Sequence, residues 1–341
     1  MKNILLILTG GTIGSCSRGG ALSVRKEGSI LLDLYNRVGK SEGISFDILR
    51  PLNILSENAT AGDIIKIINT AAGADFNKYD GIVMTYGTDT LAYCANLAAM
   101  ALHNSPVPVV FVAADKPPEE EGSNALANFS AAVDFISTEG LNGVYFSYRN
   151  PGEETKIHLA SRVTQAAPVT GDFNSVANLH FGTVREGRFT LNTSPRNPTP
   201  ERIKEKAGFP LPISQAPPKI LYIKPTPYTD FGIYGLQTTA AAAAVIELYH
   251  SGTGSAEGEA SLAEFIKRCS ARNIPAVLAS YPYTDGRKYV TTEALEKAGG
   301  IFAYRMSPEA ALAKTVAYFL GKKEISLAEY LARDLFYEII E

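Results

Sequence analysis

Short, wholly apolar runs alternate with stretches of helical periodicity through the first half of the chain, and this alternation restricts the fold more than any other feature. Ile4–Thr9, Phe46–Leu49, Gly81–Thr85, Val109–Val112 and Val144–Tyr148 read as strands. Between them Ala61–Ala72, Thr90–Leu102 and Ala125–Ser137 read as helices. Strand–helix alternation implies a parallel sheet with helices packed on it. The runs do not alternate apolar with polar, as expected of strands covered on both faces.

The pattern breaks near residue 191. Pro195, Pro198, Pro200, Pro210, Pro212, Pro217 and Pro218 crowd the stretch from Leu191 to Lys219. Such a segment is neither a central strand nor a long helix. It reads as a linker that also packs on the surface, with one short helix over Arg202–Ala207. The alternation then resumes with strands at Ile220–Ile223, Val245–Tyr249 and Ala276–Ala279. Ser261-Leu262-Ala263-Glu264 fits a capping box for a helix to Arg272. Ser307-Pro308 opens a helix to about Leu320, and Ser326 with Glu329 caps a final one. Ala240–Ala244 is ambiguous between helix and strand. The expected organisation is an N-terminal α/β domain over 1–190, a linker over 191–218 and a C-terminal α/β domain over 219–341. A length of 341 residues suits two domains at roughly 150 residues each.

Hydrophobic residues at 45% supply two real cores, so neither disulfides nor metals are needed for folding. Lys and Arg number 32 against 35 Asp and Glu, without the basic excess of a duplex-binding surface. Cys16, Cys94 and Cys269 form no disulfide framework and no C-x-x-C pair, which suits a reducing compartment. The opening MKNILLILTGG has an apolar run of five residues, Ile4 to Leu8, followed by glycines. It reads as a buried first strand rather than a signal peptide, and no stretch approaches a membrane span. A cytoplasmic location is expected.

Several familiar signatures fail. Gly39-Lys40-Ser41 resembles the end of a phosphate loop, but the glycine required at position 34 is Leu34. A dinucleotide fingerprint needs glycine where Thr12 stands. His103, His158, His180 and His250 show no metal-ligand spacing. Neither a metal nor a cofactor is expected.

Two turns survive. Gly10-Gly11-Thr12-Ile13-Gly14 follows the first strand as a G-x-T-x-G pattern, a threonine version of a nucleophile elbow. Tyr86-Gly87-Thr88-Asp89-Thr90 follows the strand Gly81–Thr85 and repeats the design. In open parallel sheets ligands bind beyond the carboxyl ends of strands. Each hydroxyl or carboxylate taken alone also suits a helix cap. Together the turns place two threonines and an acid around one cleft.

Thr9-Gly10-Gly11-Thr12-Ile13-Gly14 and Gly87-Thr88-Asp89-Thr90 resemble the two signature motifs of the bacterial-type L-asparaginase family, closest to its cytoplasmic type I branch. Asn53–Asn58 (NILSEN) resembles the family's substrate-binding turn. Glu154-Thr155-Lys156 resembles the pair that carries its catalytic lysine. Ile220–Pro227, Tyr249–Gly254 and Ser307–Lys314 (SPEAALAK) resemble parts of its C-terminal domain.

The resemblance implies a larger N-terminal parallel-sheet sandwich and a smaller C-terminal parallel-sheet domain. It implies hydrolysis of a side-chain amide through an acyl-enzyme on threonine. By carry-over Thr12 is the nucleophile, with Thr88, Asp89 and Lys156 as the polar triad. A threonine hydroxyl needs a base, and Lys156 supplies one if burial makes its neutral form accessible. The backbone N–H of Thr88 suits the oxyanion. Asp89 and Glu57 would hold a substrate ammonium; Ser56, Gly87 and the adjoining Gly11 would face its carboxylate. Homodimers or homotetramers are implied, with sites between one subunit's N-terminal domain and a neighbour's C-terminal domain.

Four positions depart from the family pattern. The mobile-loop tyrosine is missing, with Ala21 near its place. Tyr86 stands where histidine is usual, Ser123-Asn124 replaces Ser-Asp, and Ser255 replaces asparagine. Three other readings stay open: glutaminase or another side-chain amidase, the amidase part of a tRNA-dependent amidotransferase, and a catalytically weak amino-acid-binding homologue. The second usually has an extra N-terminal domain, for which there is no room before Ile4. Failed glycine spacing disfavours a nucleotide-binding Rossmann enzyme.

Overall fold

The structure is a computed structural model that describes residues 1–11, 13, 15–18, 21–24, 30–40, 42–205, 208, 210, 212–236, 240–282 and 287–341, with the backbone alone for 15–18 and 21–24. The chain divides into two units, Met1–Ser214 and Gln215–Glu341.

In the first unit the apolar runs become the middle of one sheet. Strand β1 (Lys2–Ile7) is followed by a small antiparallel pair, β2 (Ser15–Arg18) and β3 (Ala21–Val24). Then come β4 (Ile44–Leu49), β5 (Gly81–Thr85), β6 (Pro108–Val112), β7 (Gly143–Tyr148), β8 (Thr155–Leu159), β9 (Gly182–Arg185) and β10 (Arg188–Leu191). The eight-stranded order is β10-β9-β8-β7-β6-β5-β1-β4. It is parallel from β4 through β7 and antiparallel from β7 to β10. Every residue of β5 and β6 is buried, which explains their unbroken apolar sequence. The antiparallel extension escapes the alternation because antiparallel neighbours need no helical crossover: β7–β8 and β9–β10 are joined by short turns, and β8–β9 by residues 160–181, which hold no α-helix.

The helices are α1 (Ile30–Arg37), α2 (Ala61–Ala72), α3 (Leu91–Ala101), α4 (Ala125–Thr138) and α5 (Pro200–Lys204). Helix α2 starts on the expected kind of signal: Thr60 accepts from the Asp63 N–H, and Asp63 accepts from the Thr60 N–H in return. On α4, Phe129 packs edge-on against Tyr35 of α1 and beside Phe46 of β4. The proline-rich stretch does not float free. Asn69 of α2 exchanges two hydrogen bonds with the Ile213 backbone, at 2.8 and 2.7 Å. Helix α5 starts two residues before the expected Arg202, because Thr199 caps it and Pro200 fills the first turn. Residues 206 and 207, the end of that expectation, lie outside the described residues.

The second unit holds a parallel sheet in the order β11 (Ile220–Ile223), β12 (Ala243–Glu247), β13 (Ala276–Tyr281) and β14 (Ile301–Tyr304). Ala243 and Ala244 of the ambiguous alanine run open β12. Helices α6 (Leu262–Ser270), α7 (Val290–Lys297), α8 (Pro308–Leu320) and α9 (Leu327–Ala332) cover the sheet. Alternation sorts its two faces. Val245, Val277, Ala279 and Ala303 join the core with Ala310, Leu327 and Leu331. Ala244, Ile246, Leu278 and Phe302 join the other with Leu262, Phe265 and Leu295. Ser261, Ser307 and Ser326 cap their helices, accepting from the N–H groups of Glu264, Ala310 and Glu329, but the expected capping box is only half made, because the Ser261 N–H donates to the Gly258 carbonyl at 3.2 Å and the Glu264 carboxylate accepts from Lys267. Among the described residues no helix is long and apolar enough to cross a membrane, and no cluster of three metal-ligating side chains occurs.

Candidate active site

Glycine geometry builds the site. Gly10 and Gly11 leave β1 at φ of 102° and 75°, backbone that favours glycine. The Gly11 N–H donates to the Ile54 carbonyl at 3.0 Å, and the Ile54 N–H donates to the Thr9 carbonyl at 3.0 Å. The Thr9 hydroxyl donates to the Thr85 carbonyl at 2.6 Å, locking the ends of β1 and β5 together. A Cβ on Gly11 would lie 2.5 Å from the Gly87 nitrogen and 2.6 Å from its Cα. A Cβ on Gly87 would lie 2.4 Å from the Ser56 hydroxyl oxygen. Gly11, Gly87 and Ser56 therefore lie in contact, in that order.

Thr88–Thr90 and Ser56–Asn58 each form one turn of 3-10 helix, and the two turns pack together. A chain of hydroxyls ties them. The Thr90 hydroxyl donates to the Ser56 carbonyl at 2.9 Å. Its oxygen is then left to accept from the Tyr86 phenol at 3.2 Å. Burial raises the Tyr86 phenol, whose neighbour Cys94 adds to the effect, and burial raises the Cys94 thiol. Both groups therefore stay neutral donors. Gln165, in the loop that follows β8, donates to the Asp89 carbonyl at 2.9 Å. Glu57 and Asp89 are exposed, and neither carboxylate has a partner among the described residues.

Lys156 is the second residue of β8. The ladder aligns Thr85, Val112, Ser147 and Ile157 in one row, so Lys156 stands one step beyond it, on the edge from which Gly87 and Thr88 emerge. Three strand spacings, about 14 Å, separate β5 from β8. The lysine side chain is 18% exposed and its ammonium donates to Glu153 at 2.6 Å. That bond holds the Glu153 carboxyl below the usual carboxylate range, and Asn150 donates to the same oxygen at 3.1 Å. Two residues on, buried His158 shares a hydrogen bond of 2.8 Å with Ser175. Burial brings its ring down to about 3, so it stays neutral.

Thus Gly11, Ser56 and Gly87 are brought together, with Glu57, Thr88 and Asp89 on the adjoining turns. Lys156 is on the same sheet edge, but no hydrogen bond joins it to Thr88 or Asp89 among the described residues. Thr12 and Gly14 lie outside the described residues. The supporting roles of Tyr86, Thr90, Gln165 and Glu153 escape a reading of the sequence. The second hydroxyl of Thr88-Asp89-Thr90 is the available signal for Thr90, and the departure from the family's histidine is the signal for Tyr86; Gln165 and Glu153 leave none.

Two departures from the family pattern have physical accounts. Asn124 accepts from the Asp115 N–H at 3.0 Å and donates to the Arg149 carbonyl at 2.9 Å. An amide does both, and a carboxylate only the first. The Ser255 hydroxyl accepts from the Leu262 N–H at 3.0 Å, at the start of α6.

The family profile "Asparaginase, N-terminal" matches residues 3–197. The L-asparaginase of Thermococcus kodakarensis is 28% identical over 91% of this chain and 90% of its own length. One glutamyl-tRNA(Gln) amidotransferase subunit, from Thermoplasma acidophilum, is 26% identical, covering all of this chain and 83% of that one. The solved structure of the thermostable Thermococcus kodakarensis L-asparaginase superposes with a TM-score of 0.83 at 26% identity over 99% of both chains. L-asparaginase I from Vibrio cholerae shares the fold, with a TM-score of 0.78 at 22% identity over 100% of this chain and 99% of that one. A profile match over more than half of the chain, on a fold whose glycine turns meet as described, places the protein in the asparaginase family of amidohydrolases.

Proposed function

We propose that the protein hydrolyses the side-chain amide of L-asparagine to L-aspartate and ammonia. The observation that carries this reading is the Gly11–Gly87–Ser56 contact. It leaves backbone and a buried hydroxyl where a small α-amino acid would be gripped. Exposed Asp89 and Glu57 suit its ammonium, and the Ser56 hydroxyl with the Gly87 backbone suits its carboxylate. Thr12 attacks the amide carbon and gives up its proton, and the Thr88 N–H stabilises the oxyanion. Collapse releases ammonia, and water then hydrolyses the acyl-enzyme. Lys156 acts as the base with Thr88 and Asp89, which requires its amine to leave Glu153 for the site.

Ammonia release from L-asparagine and L-glutamine tests this, with wild type beside Thr12→Ala and Lys156→Ala. Lys156→Ala should lower kcat for asparagine by about 10²- to 10⁴-fold, the usual worth of a positioned base, and Thr12→Ala by up to about 10⁶-fold, the scale of losing a nucleophile. Full activity in either variant would remove that residue from the mechanism. The relative named as an amidotransferase component favours a second reading, an amidase that feeds a tRNA-linked amidation. Turnover of free asparagine without tRNA separates the two.

Tyr86 and Thr90 position the substrate turn under this reading. Tyr86→Phe removes the phenol's hydrogen bond to Thr90, worth about 0.5–1.5 kcal/mol to the substrate turn, together with its bond to Cys94, which lies away from that turn on α3. KM for asparagine should rise about 2- to 12-fold with kcat little changed. A fall in kcat at constant KM would contradict a positioning role.

A further inference from the structure

Lys156 and the Thr88–Asp89 turn sit on one sheet edge, with β6 and β7 between their strands. The loop that follows β8 bridges this gap by a chain of hydrogen bonds. The chain starts at His158, which alternation places on the same face of β8 as Lys156. His158 is 1% exposed and shares its bond of 2.8 Å with Ser175, which is 3% exposed. Ser175 pairs in turn with Val163 in an isolated antiparallel bridge.

Val163 and Thr164 are fixed from two further sides. Asn96 of α3 is fully buried and gives its amide hydrogens to backbone, at 2.7 Å to the Ala92 carbonyl and at 2.9 Å to the Val163 carbonyl. Thr164 donates to the Asn174 carbonyl twice, from its N–H and from its hydroxyl, each at 3.0 Å. Beyond Gln165, the Ala167 N–H donates to the Asp172 carbonyl at 2.8 Å. The backbone is thus tied on both sides of Gln165. The bond from its amide to the Asp89 carbonyl, at 2.9 Å, is the far end of the chain.

The turn that receives this bond is held from outside. Thr90 makes no side-chain cap bond to α3, and its hydroxyl goes to the Ser56 carbonyl instead. One tie of the turn therefore runs to the Ser56 turn. The other runs through Gln165 to the loop that leads back to Lys156.

We propose that residues 163–165 form a strap that sets the place of the Thr88–Asp89 turn relative to Lys156, with Gln165 as its positioning residue and the His158–Ser175 pair as its anchor. The catalytic part of this proposal rests on the amidase reading. Gln165 grips the backbone of Asp89, so it places the Thr88 N–H and the Asp89 carboxylate together. An oxyanion donor works only when it is already aimed at the developing charge, so slack in the strap is felt in kcat. Burial keeps His158 neutral, so the anchor does not change across ordinary pH.

The test is steady-state kinetics on Gln165 variants, with amide hydrogen exchange at Thr88–Thr90 as a readout that needs no turnover. Gln165→Met keeps the stem and removes the donor. Its kcat for asparagine should fall about 2- to 12-fold, the worth of one neutral hydrogen bond, by the same factor at every pH. Exchange at Thr88–Thr90 should quicken in the same variant. Gln165→Glu should lose more at pH 8, where an ionised carboxylate faces the Asp89 carbonyl. Its ratio to wild type should rise several-fold towards pH 5, because a protonated carboxyl can donate. Ser175→Ala should lower kcat in the wild-type background and add nothing in Gln165→Met, since both cut one chain. Unchanged exchange in Gln165→Met overturns the strap. Faster exchange with unchanged kcat overturns the positioning role. A Gln165→Glu ratio that ignores pH, or additive losses with Ser175→Ala, overturns the hydrogen-bond chain as the cause. A wild type that releases no ammonia, with exchange still faster in Gln165→Met, overturns the amidase reading and leaves the strap standing.

Discussion

Gly11→Ala should cost at least about 100-fold in kcat/KM for asparagine while the protein stays folded. The added methyl would meet the Gly87 nitrogen at 2.5 Å and its Cα at 2.6 Å, both backbone atoms that no rotamer change can move. Ordinary contact begins near 3.4 Å, so the Gly87 turn must retreat by roughly 1 Å. Displacement of that size at reacting groups is worth about 10²-fold in rate. The retreat is not local. Gly87 leans on Ser56, and Thr88 and Asp89 follow it in the chain, so every group of the proposed grip shifts together. Backbone strain at φ 75° adds about 1–3 kcal/mol of destabilisation. Gly39→Ala separates the two effects. Gly39 has φ 72° with nothing within 4 Å of an added Cβ, so it carries the strain without the collision. Gly39→Ala should lower Tm and keep kcat/KM; Gly11→Ala should lose both. Near-wild-type kinetics in Gly11→Ala would mean that substrate does not use the Gly11–Gly87–Ser56 contact.

What sequence conveys here follows physical rules. The strands β1, β5, β6 and β7 are legible because both of their faces are covered, which forces continuous apolar runs. The helices α6, α8 and α9 are legible because a serine precedes each and caps it. Strand β8 is not, because TKIHL carries a lysine and a histidine, each with a private account: Lys156 is neutralised by Glu153, and His158 is buried neutral on Ser175. Periodicity sees the polar letters and not the partners. The same limit applies to the site. Gly11 and Gly87 announce themselves as glycines after strands, but the tie from Tyr86 through Thr90 to the Ser56 carbonyl joins segments 30 or more residues apart. No local pattern encodes that distance. Lys156 is legible only through family resemblance, and its contact with Glu153 follows from the turn at Asn150–Glu153.

Lys314→Met should be the most destabilising single change in the second unit, lowering its stability by about 3–5 kcal/mol. In the sequence Lys314 is only the last letter of SPEAALAK, yet it is fully buried in α8. Its ammonium donates to the Leu331 carbonyl at 3.2 Å, to the Arg333 carbonyl and to the Glu338 carboxylate. The other Glu338 oxygen accepts from the Phe336 N–H at 2.7 Å. Burial pushes the lysine down and the glutamate up, and each group's attraction for the other opposes that shift. Methionine matches the lysine stem but leaves a buried carboxylate and two carbonyls without their donor. Removing both charges is different in kind. In Lys314→Met/Glu338→Leu no charge is stranded, so the double variant should recover a large part of the loss. Urea unfolding followed by a probe in the second unit measures the cycle, since a chain of two units need not unfold in one step. Equal losses in single and double variants would show that Lys314 acts through the Leu331 and Arg333 carbonyls, as a pin for the C-terminal segment, rather than as the counter-charge of Glu338. A single variant within about 1 kcal/mol of wild type would show that the cavity admits water and that the pair is not buried in solution.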